Sequence, residues 1–274
     1  MSTAITRRHV LAAMTATVGV AVIGETGAGV CAAVESPAKE NPMAREFYEL
    51  RALRLRRGPM SARLDQYLKD AFIPAARRAG CGQIGAFNIV IGQGNPTTYV
   101  VIPHPSVESF VSLPETLAQD ADYTKAASDF RALPATDPPY VNQEVQLLKA
   151  FAHFPCIEAP EIRPRIFELR TYRSHSRSAG LKKIEMFDTG GEIAIFRRAG
   201  LTPVFFAQAL TGAHLQCLTY MLTFPDLAAR EKSWNAFRTD PDWKKLSSTP
   251  GYTDAEIVVD IDNQILAPTA YSQI

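Results

Sequence analysis

The sequence predicts an α+β protein built from two similar units whose β-sheets close on each other into one barrel. Three observations predict this fold. An internal repeat divides the chain, each repeat has the same order of strands and helices, and each predicted sheet carries helices on one face only. The chain has 274 residues, a length that accommodates two units of ordinary domain size.

The repeat consists of five short motifs that recur in the same order about 120 residues apart. Residues 48–51 (YELR) recur as residues 167–170 (FELR), and residues 77–80 (RRAG) recur as residues 197–200. The other three matches pair Tyr99 with Tyr220, Asp120 with Asp240, and Gln146 with Gln264. We therefore divide the chain into a first unit over residues 46–152, a proline-rich linker over 153–164, and a second unit over 165–268.

The hydrophobic pattern predicts β-α-β-β-α-β in each unit, the order of the ferredoxin-like fold. Alternation predicts first strands over 46–55 and 165–173, and apolar runs around glycine turns predict hairpins over 83–102 and 203–224. Second helical regions over 106–130 and 226–246 and last strands over 141–148 and 256–266 complete the units. Gly80 and Gly200 are expected to end the first helices.

Apolar side chains at helical spacing define the buried stripe of each first helix. In the first unit Pro74 should kink this helix, and in the second unit Gly190 and Gly191 should weaken its middle. The predicted stripes are Leu64, Leu68, Phe72 and Ala75 in the first unit, and Leu181, Ile184, Phe187, Ile193 and Phe196 in the second.

A four-stranded sheet with both helices on one face leaves its other face bare. Two such sheets within one chain can cover each other. This physical argument favours an intrachain barrel over two separate domains.

Composition excludes several classes of protein. Lys and Arg number 29 against 28 Asp and Glu, so no basic excess indicates a nucleic-acid partner. The hydrophobic fraction of 46% argues against intrinsic disorder. No apolar run reaches the roughly 18 residues of a confident membrane span. Homo-oligomerisation is left open.

Residues 1–33 are expected to be an export signal, followed by a linker over 34–45. Arg7 and Arg8 precede a mildly apolar stretch, the pattern of a bacterial twin-arginine leader. Small residues around Cys31 offer a cleavage site, and a lipoprotein signal at Cys31 is the weaker alternative because Val30 precedes it. The expected location is the periplasm or the outside of a bacterium. An uncleaved anchor or an unrelated tail is the competing interpretation.

The cysteines form neither a disulfide framework nor a metal site. Outside the leader there are three, Cys81, Cys156 and Cys217, an odd number at irregular spacing. No Cys-x-x-Cys pair or partner histidine pair accompanies them, so no metal is predicted. We expect three small buried hydrophobic residues.

The second unit contains four segments that together carry a family resemblance, residues 167–172 (FELRTY), 196–201 (FRRAGL), 218–222 (LTYML) and 234–243 (WNAFRTDPDW). With this ordered set the unit resembles the NIPSNAP family of the dimeric α/β-barrel superfamily. The first unit keeps YELR but lacks both tryptophans. The resemblance implies the barrel fold and supplies no mechanism. No cofactor is predicted; haem is open only by analogy with haem-handling relatives in the superfamily.

The first strands carry the candidate binding residues. Side chains alternate along a strand, so Glu49 and Arg51 share one face and Tyr48 and Leu50 the other. If the apolar pair faces the helices, the charged pair faces the barrel interior, and Glu168, Arg170 and Tyr172 repeat this arrangement. A buried carboxylate requires a partner, which the nearby arginine supplies. The alternatives are a ligand site in a cleft between the units and an ion-pair network with a purely structural role.

Tyrosine and histidine residues add candidate catalytic groups. Tyr99 and Tyr220 should occupy equivalent positions on the third strands, either facing a cavity as hydrogen-bond donors or packing in the core. His175 follows the first strand of the second unit and is a candidate base or a solvated loop residue. The candidate catalytic residues are therefore His175, Tyr220 and Glu168. His104, between two prolines, is expected in a loop.

The aromatic residues Trp234, Phe237 and Trp243 lie at helical spacing. They form either an aromatic wall for a ligand or ordinary core. Asp120 and Asp240 are predicted to cap helices.

The leading functional hypothesis is a small, partly apolar molecule bound in a polar-lined cleft between the units. Glu49, Arg51 and Tyr99 would face Glu168, Arg170, Tyr172 and Tyr220, with proton transfer or oxygen chemistry as the candidate reactions. Whether the protein is an enzyme is left open. The alternative is a protein- or membrane-associated module whose interior is filled by its own side chains.

Overall fold

The structure, a computed structural model, describes residues 44–213 and 215–274. The predicted leader and most of the linker that follows it lie outside the described residues. Within the described residues no helix combines the length and the hydrophobicity that crossing a membrane requires.

Eight antiparallel strands form a closed barrel in the order β1-β3-β2-β8-β5-β7-β6-β4. Four strands come from each half of the chain, and the halves meet at two seams, where β2 pairs with β8 and β4 pairs with β6. Closure gives every strand a hydrogen-bonded neighbour on each side. The strands are β1 Phe47–Arg54, β2 Gly85–Ile91, β3 Thr97–His104, β4 Asn142–Ala150, β5 Ile166–Arg173, β6 Thr202–Ala209, β7 Cys217–Phe224 and β8 Asp260–Pro268.

Helices pack on the outer face of the barrel in each half. The longest ones that follow the hairpins, α3 and α8, have 13 residues each and both begin after a capping side chain, Ser106 or Asp226. Asp120 and Asp240 then cap α4 and α9, as predicted. The helices are α1 Pro59–Tyr67, α2 Ile73–Arg78, α3 Val107–Gln119, α4 Ala121–Ala126, α5 Ser128–Arg131, α6 Arg177–Asp188, α7 Glu192–Arg198, α8 Leu227–Thr239, α9 Pro241–Ser247 and α10 Asp254–Ile257.

The expected kink at Pro74 takes the form of a π-helical turn. Residues Leu68–Phe72 connect α1 to α2, and the Ile73 N–H donates to the Leu68 carbonyl five residues back. Proline has no N–H to offer, and its ring crowds the preceding turn, so a widened turn relieves both problems. The predicted stripe from Leu64 to Ala75 is buried throughout.

The first helix of the second half breaks at Gly190 and Gly191, and its buried face differs from the prediction. Leu181 is exposed, while Lys183 is buried together with Ala179, Met186 and Phe187, so the buried face lies on the side of the helix away from Leu181. A Cβ on Gly190 would lie 2.6 Å from the Met186 carbonyl oxygen, so the break requires glycine there. The last strand also begins later than predicted, at Asp260, because the short helix α10 precedes it.

The predicted orientation of the first strands was wrong. Tyr48, Leu50, Phe167 and Leu169 point into the barrel, and Glu49, Arg51, Glu168 and Arg170 point outward to the helices. The inner set belongs to one buried cluster with residues of all eight strands. Rings from the two halves meet there, with centroids 5.1 Å apart for Tyr48–Phe205 and 4.8 Å apart for Phe87–Phe167. Alternation fixes which side chains share a face, but the partners on distant elements decide which face is inside.

Each hairpin presses a glycine against the last strand of the other half. A Cβ on Gly92 would meet the Gln264 side chain, and a Cβ on Gly212 would meet the Gln146 side chain. Both glycines have positive φ, +150° and +133°, a conformation that glycine alone adopts easily. The two contacts lie at the two seams, and each places a hairpin glycine against a glutamine of the partner strand.

Candidate functional site

The first half contains a cavity of about 650 Å³ between the outer face of β1 and helix α3. We call it the first-half pocket. Its lining residues are mostly apolar, as in most small-molecule sites, and a few are charged or polar. The polar lining residues are Glu49, Arg51, Arg131 and Gln143, and the apolar wall includes Phe72, Phe110, Leu113, Pro114 and Leu117.

Glu49 is the buried carboxylate of this pocket and is only 4% exposed. The Arg51 Nε donates to Oε1 at 2.5 Å, and His104 Nε2 donates to Oε2 at 3.3 Å. Burial alone would raise the pKa of Glu49, but the hydrogen bond from His104 and the adjacent guanidinium outweigh burial and hold the pKa below its usual value. Glu49 is therefore an ionised hydrogen-bond acceptor at neutral pH.

His104 was expected in a loop and is instead a buried residue at the end of β3. Its Nδ1 lies 3.2 Å from Ser109 Oγ and 3.9 Å from Cys81 Sγ. A chain of hydrogen-bonding groups thus leads from Glu49 to the start of α3. The signal that sequence reasoning missed is the alternation of β3, which places His104 on the same face as the buried Val100 and Ile102.

Arg51 stands between the first-half pocket and a neighbouring cavity of about 320 Å³ that Tyr67 and Arg131 also line. Its guanidinium carbon lies 4.6 Å from the centroid of the Phe72 ring. This cation–π contact and the bond to Glu49 fix the side chain, so that it presents a planar cation to the pocket.

The second half fills the corresponding space with its own side chains. Helices α3 and α8 have the same length and equivalent caps, so Pro114 corresponds to Trp234 and Phe110 to Arg230. Trp234 Nε1 donates to Glu168 at 2.8 Å, and Arg230 donates to both carboxylate oxygens at 2.8 and 2.6 Å. The Arg170 guanidinium carbon lies 4.8 Å from the centroid of the Trp234 ring system.

These contacts make Glu168 and Arg170 a closed ionic cluster. Arg170 Nη1 donates to Glu168 at 3.1 Å. Burial would raise the pKa of Glu168, but the bonds from Arg230 and Trp234 prevail and lower it. Trp234 and Phe237 belong to the hydrophobic core of the second half. Their helical spacing predicted either an aromatic wall for a ligand or ordinary core, and in the structure they are core.

Tyr172 and Tyr220 lie in the core of the second half. Their ring centroids are 5.8 Å apart, and Tyr220 is fully buried beside Phe206. Burial raises the pKa of Tyr220 well above 10. The phenol is therefore neutral, and no cavity described in this structure reaches it.

Tyr99 is not equivalent to Tyr220. Tyr99 is the neighbour of Ala52 on the barrel interior, whereas Tyr220 is the neighbour of Arg170 on the outer face. Their separation of 121 residues exceeds by one the 120 residues between the starts of α3 and α8, and a slip of one residue moves a side chain to the other face of a strand.

Tyr99 lines a second cavity of about 340 Å³ at one mouth of the barrel, where residues of both halves meet. We call it the mouth cavity. Arg173 pairs there with Asp262, and burial, Asp262 and Glu144 together raise the pKa of Tyr99. His175 follows Arg173 in an exposed turn and is not among the residues that line this cavity.

The seven predicted binding residues thus fall into three places. Only Glu49 and Arg51 line the first-half pocket. Glu168, Arg170, Tyr172 and Tyr220 are packed against the helices of the second half, and Tyr99 faces the mouth cavity. Of the cysteines, Cys81 and Cys217 are buried as expected, but Cys156 is exposed.

The sequence profile of the NIPSNAP family matches residues 167–273. Residues 167–273 form a NIPSNAP domain. The domain contains β5 to β8 and the Glu168 cluster, whereas the first-half pocket lies outside the matched residues. None of the curated proteins compared with the chain matches it.

Several solved structures are similar to this chain. A candidate monooxygenase from Lactobacillus acidophilus NCFM has 10% identity and a TM-score of 0.53, with 82% of this chain and 94% of the other covered. A NIPSNAP-like domain protein from Burkholderia xenovorans has 22% identity and a TM-score of 0.36, covering 40% and 90%. A NIPSNAP family protein from Agrobacterium tumefaciens str. C58 has 21% identity and a TM-score of 0.35, covering 40% and 98%.

The first-half pocket does not fit a haem held by a protein ligand. No histidine, cysteine or methionine is among its lining residues, and the Tyr67 and Tyr123 hydroxyls lie 2.9 Å from each other. Both nitrogens of the neighbouring His104 already contact protein side chains. Across residues 44–213 and 215–274, no group of three or more His, Cys, Asp or Glu side chains is arranged to hold a metal ion.

Proposed function

We propose that the protein binds a small, partly apolar molecule in the first-half pocket, with Glu49 and Arg51 holding its polar group. One observation carries this proposal. At the position where the second half places Trp234 against Glu168 and Arg170, the first half has Pro114 and an open cavity beside Glu49 and Arg51. The side chain that fills this space in the second half therefore indicates which kind of molecule could fill the first-half pocket.

The contacts of Trp234 define the class of ligand. Its indole stacks on one guanidinium and donates one hydrogen bond to one carboxylate oxygen. We therefore propose a planar aromatic molecule with an N–H or O–H donor, stacked on Arg51 and hydrogen-bonded to Glu49. The apolar wall around Phe72 and Leu113 would bury the rest of its surface.

Proton transfer is the reaction that we propose if turnover follows binding. Glu49 would accept a proton from the donor group of the ligand, and the Arg51 guanidinium stacked on the ligand would stabilise the anion that forms. The name of the Lactobacillus protein makes oxygen-dependent turnover of the bound molecule the second reaction to assay.

The test is a variant that fills the pocket. Pro114→Trp should reproduce the arrangement of the second half and abolish binding of indole and phenol probes, measured by calorimetry, while unfolding stability is kept or raised. Glu115→Trp places the same residue on the exposed side of the same helix and should leave binding unchanged. Equal affinities in Pro114→Trp and the unmodified protein would rule out this site.

The mouth cavity is the second candidate, because residues of both halves, including Tyr99, line it. A ligand there would occupy the cleft between the halves. Tyr99→Phe should then weaken binding of the same probes while Pro114→Trp leaves it intact. If neither change affects binding and mass spectrometry finds no co-purified molecule, a protein- or membrane-associated role for the filled barrel becomes the better hypothesis.

We also infer that the two halves are copies of one ferredoxin-like βαββαβ unit and that the chain is exported. The ordered motifs, the matched helices α3 and α8, and the paired Gly–Gln contacts support duplication. The paired arginines near the N-terminus support export by the twin-arginine route to the periplasm or beyond. N-terminal sequencing of the exported protein would test whether the leader is removed. The variant Arg7→Lys/Arg8→Lys tests the route, and we expect it to block export.

A further inference from the structure

A third cavity, of about 350 Å³, lies on the outside of the seam between β4 and β6. We call it the seam pocket. It shares no lining residue with the first-half pocket or the mouth cavity. Three cationic side chains line it, Arg45 and Lys149 from the first half and Arg177 from the second, and no carboxylate does.

The three cations have no acidic partner within ion-pair distance among the described residues, as the ion pairs of this structure show. By contrast, the half-buried Arg63 pairs with Asp137, and the exposed Arg197 pairs with Glu158. Three like charges around one cavity repel each other. No carboxylate among the residues that line the seam pocket compensates for this repulsion.

The position of Arg177 adds to this charge. It lies in the first turn of α6, where the helix dipole already contributes partial positive charge. Stability alone favours acidic residues in such a turn. Lys149 is held in place, since its Nζ lies 5.7 Å from the centroid of the Phe47 ring.

The other wall of the seam pocket is apolar and exposed. Leu181, Leu210 and Leu215 line it and are 44%, 39% and 50% exposed. Leucine side chains that remain this exposed around one cavity indicate a surface that another molecule covers.

We propose that the seam pocket binds an anionic amphiphile, a single molecule with a carboxylate or phosphate head and a short apolar chain. The head would lie among Arg45, Lys149 and Arg177, and the chain along the three leucines. Guanidinium and ammonium groups are the usual partners of both anions. The site is separate from the proposed function, so either can be right without the other.

Calorimetric titration of the full-length protein with decanoate and with octyl phosphate tests the proposal. We expect one molecule per chain, with affinity that falls as salt rises because the cations are partly exposed. The double variant Lys149→Gln/Arg177→Gln should weaken binding at least tenfold. The control Arg57→Gln/Lys69→Gln removes the same charge from exposed positions elsewhere and should leave affinity unchanged.

Four outcomes would overturn the proposal. If octyl glucoside bound as tightly as octyl phosphate, the cations would have no role in binding. If inorganic phosphate bound as tightly as octyl phosphate, the leucines would have no role. If both double variants lost the same amount of affinity for the amphiphiles, the loss would be a general effect of net charge. Binding to phosphatidylglycerol vesicles with no binding of the monomeric amphiphiles would indicate a membrane surface. The Pro114→Trp variant should bind both amphiphiles normally, which separates this test from that of the proposed function.

Discussion

Glu49 and Glu168 occupy matching positions in the two halves, yet their surroundings differ. Glu168 is fully buried and receives hydrogen bonds from Arg170, Arg230 and Trp234. Glu49 receives bonds from Arg51 and His104 and borders an open pocket. The same residue type is thus enclosed by protein side chains in one half and borders a cavity in the other.

Removing the charge of Glu168 should therefore be costly. Glu168→Gln removes a fully buried carboxylate from two partly buried guanidinium groups, and we expect a loss of about 3–5 kcal/mol in the free energy of unfolding at pH 7. Glu158→Gln, which removes the exposed partner of Arg197, should cost less than about 1 kcal/mol. Urea denaturation measures both, and similar losses would contradict the assignment of Glu168 as a buried anchor.

The cost of Glu168→Gln should depend on pH in a defined direction. Burial alone would raise the pKa of Glu168. The hydrogen bonds from Arg230 and Trp234 outweigh burial and hold this pKa below its ordinary value of 4.5 in the folded protein. The stability that ionised Glu168 gives to the folded protein is present above pH 4.5 and is lost as pH falls through the folded-state pKa. The difference between the unmodified protein and Glu168→Gln should therefore shrink in unfolding experiments below pH 4.5. A difference that grows on acidification would contradict this assignment.

At the scale of elements, the break between α6 and α7 brings two charges into the core. Lys183 Nζ lies 3.6 Å from the Glu192 carboxylate and 3.5 Å from Asp254, and both Lys183 and Glu192 are almost fully buried. Burial raises the pKa of Glu192 to about 7, although Lys183 opposes the shift. Stability due to the protonated Glu192 is thus lost as pH rises through 7.

A double-mutant cycle should reveal this pair. Lys183→Met alone should cost about 3–5 kcal/mol at pH 8, where it leaves a buried carboxylate unpaired, and less at pH 5, where Glu192 is protonated. Lys183→Met/Glu192→Met should be more stable than Lys183→Met at pH 8. Chemical denaturation at the two pH values is the measurement, and an additive cycle at pH 8 would show that the two groups do not interact.

At the scale of the whole molecule, each half depends on the other. The apolar inner faces of the two sheets cover each other, and β2, β4, β6 and β8 would become exposed edges if the halves were separated. We expect residues 44–152 and 165–274, expressed separately, to aggregate or self-associate, and the two together to form one soluble complex.

Size-exclusion chromatography with light scattering measures this dependence. Far-ultraviolet circular dichroism of each fraction reports whether it is folded. A folded, monomeric half would contradict the mutual covering of the sheets.

Repetition in the sequence predicted the order of the elements, because turn glycines, helix caps and apolar periodicity act locally. Gly80, Gly200, Asp120 and Asp240 have the roles expected of them. The orientation of β1 and β5 was predicted incorrectly, since alternation does not specify the inner face. The equivalence of Tyr99 and Tyr220 failed because a single residue of offset reverses the face.

The sequence by itself determined the α+β class, the succession of strands and helices, and the NIPSNAP character of the second half. Only the tertiary structure decided that Glu168 is enclosed by Arg230 and Trp234, while Glu49 borders a cavity at the place of Pro114. Local preferences act between neighbours in the chain, and so the sequence displays them directly. Whether a site is open or filled depends on side chains more than 60 residues away, and folding alone brings those together.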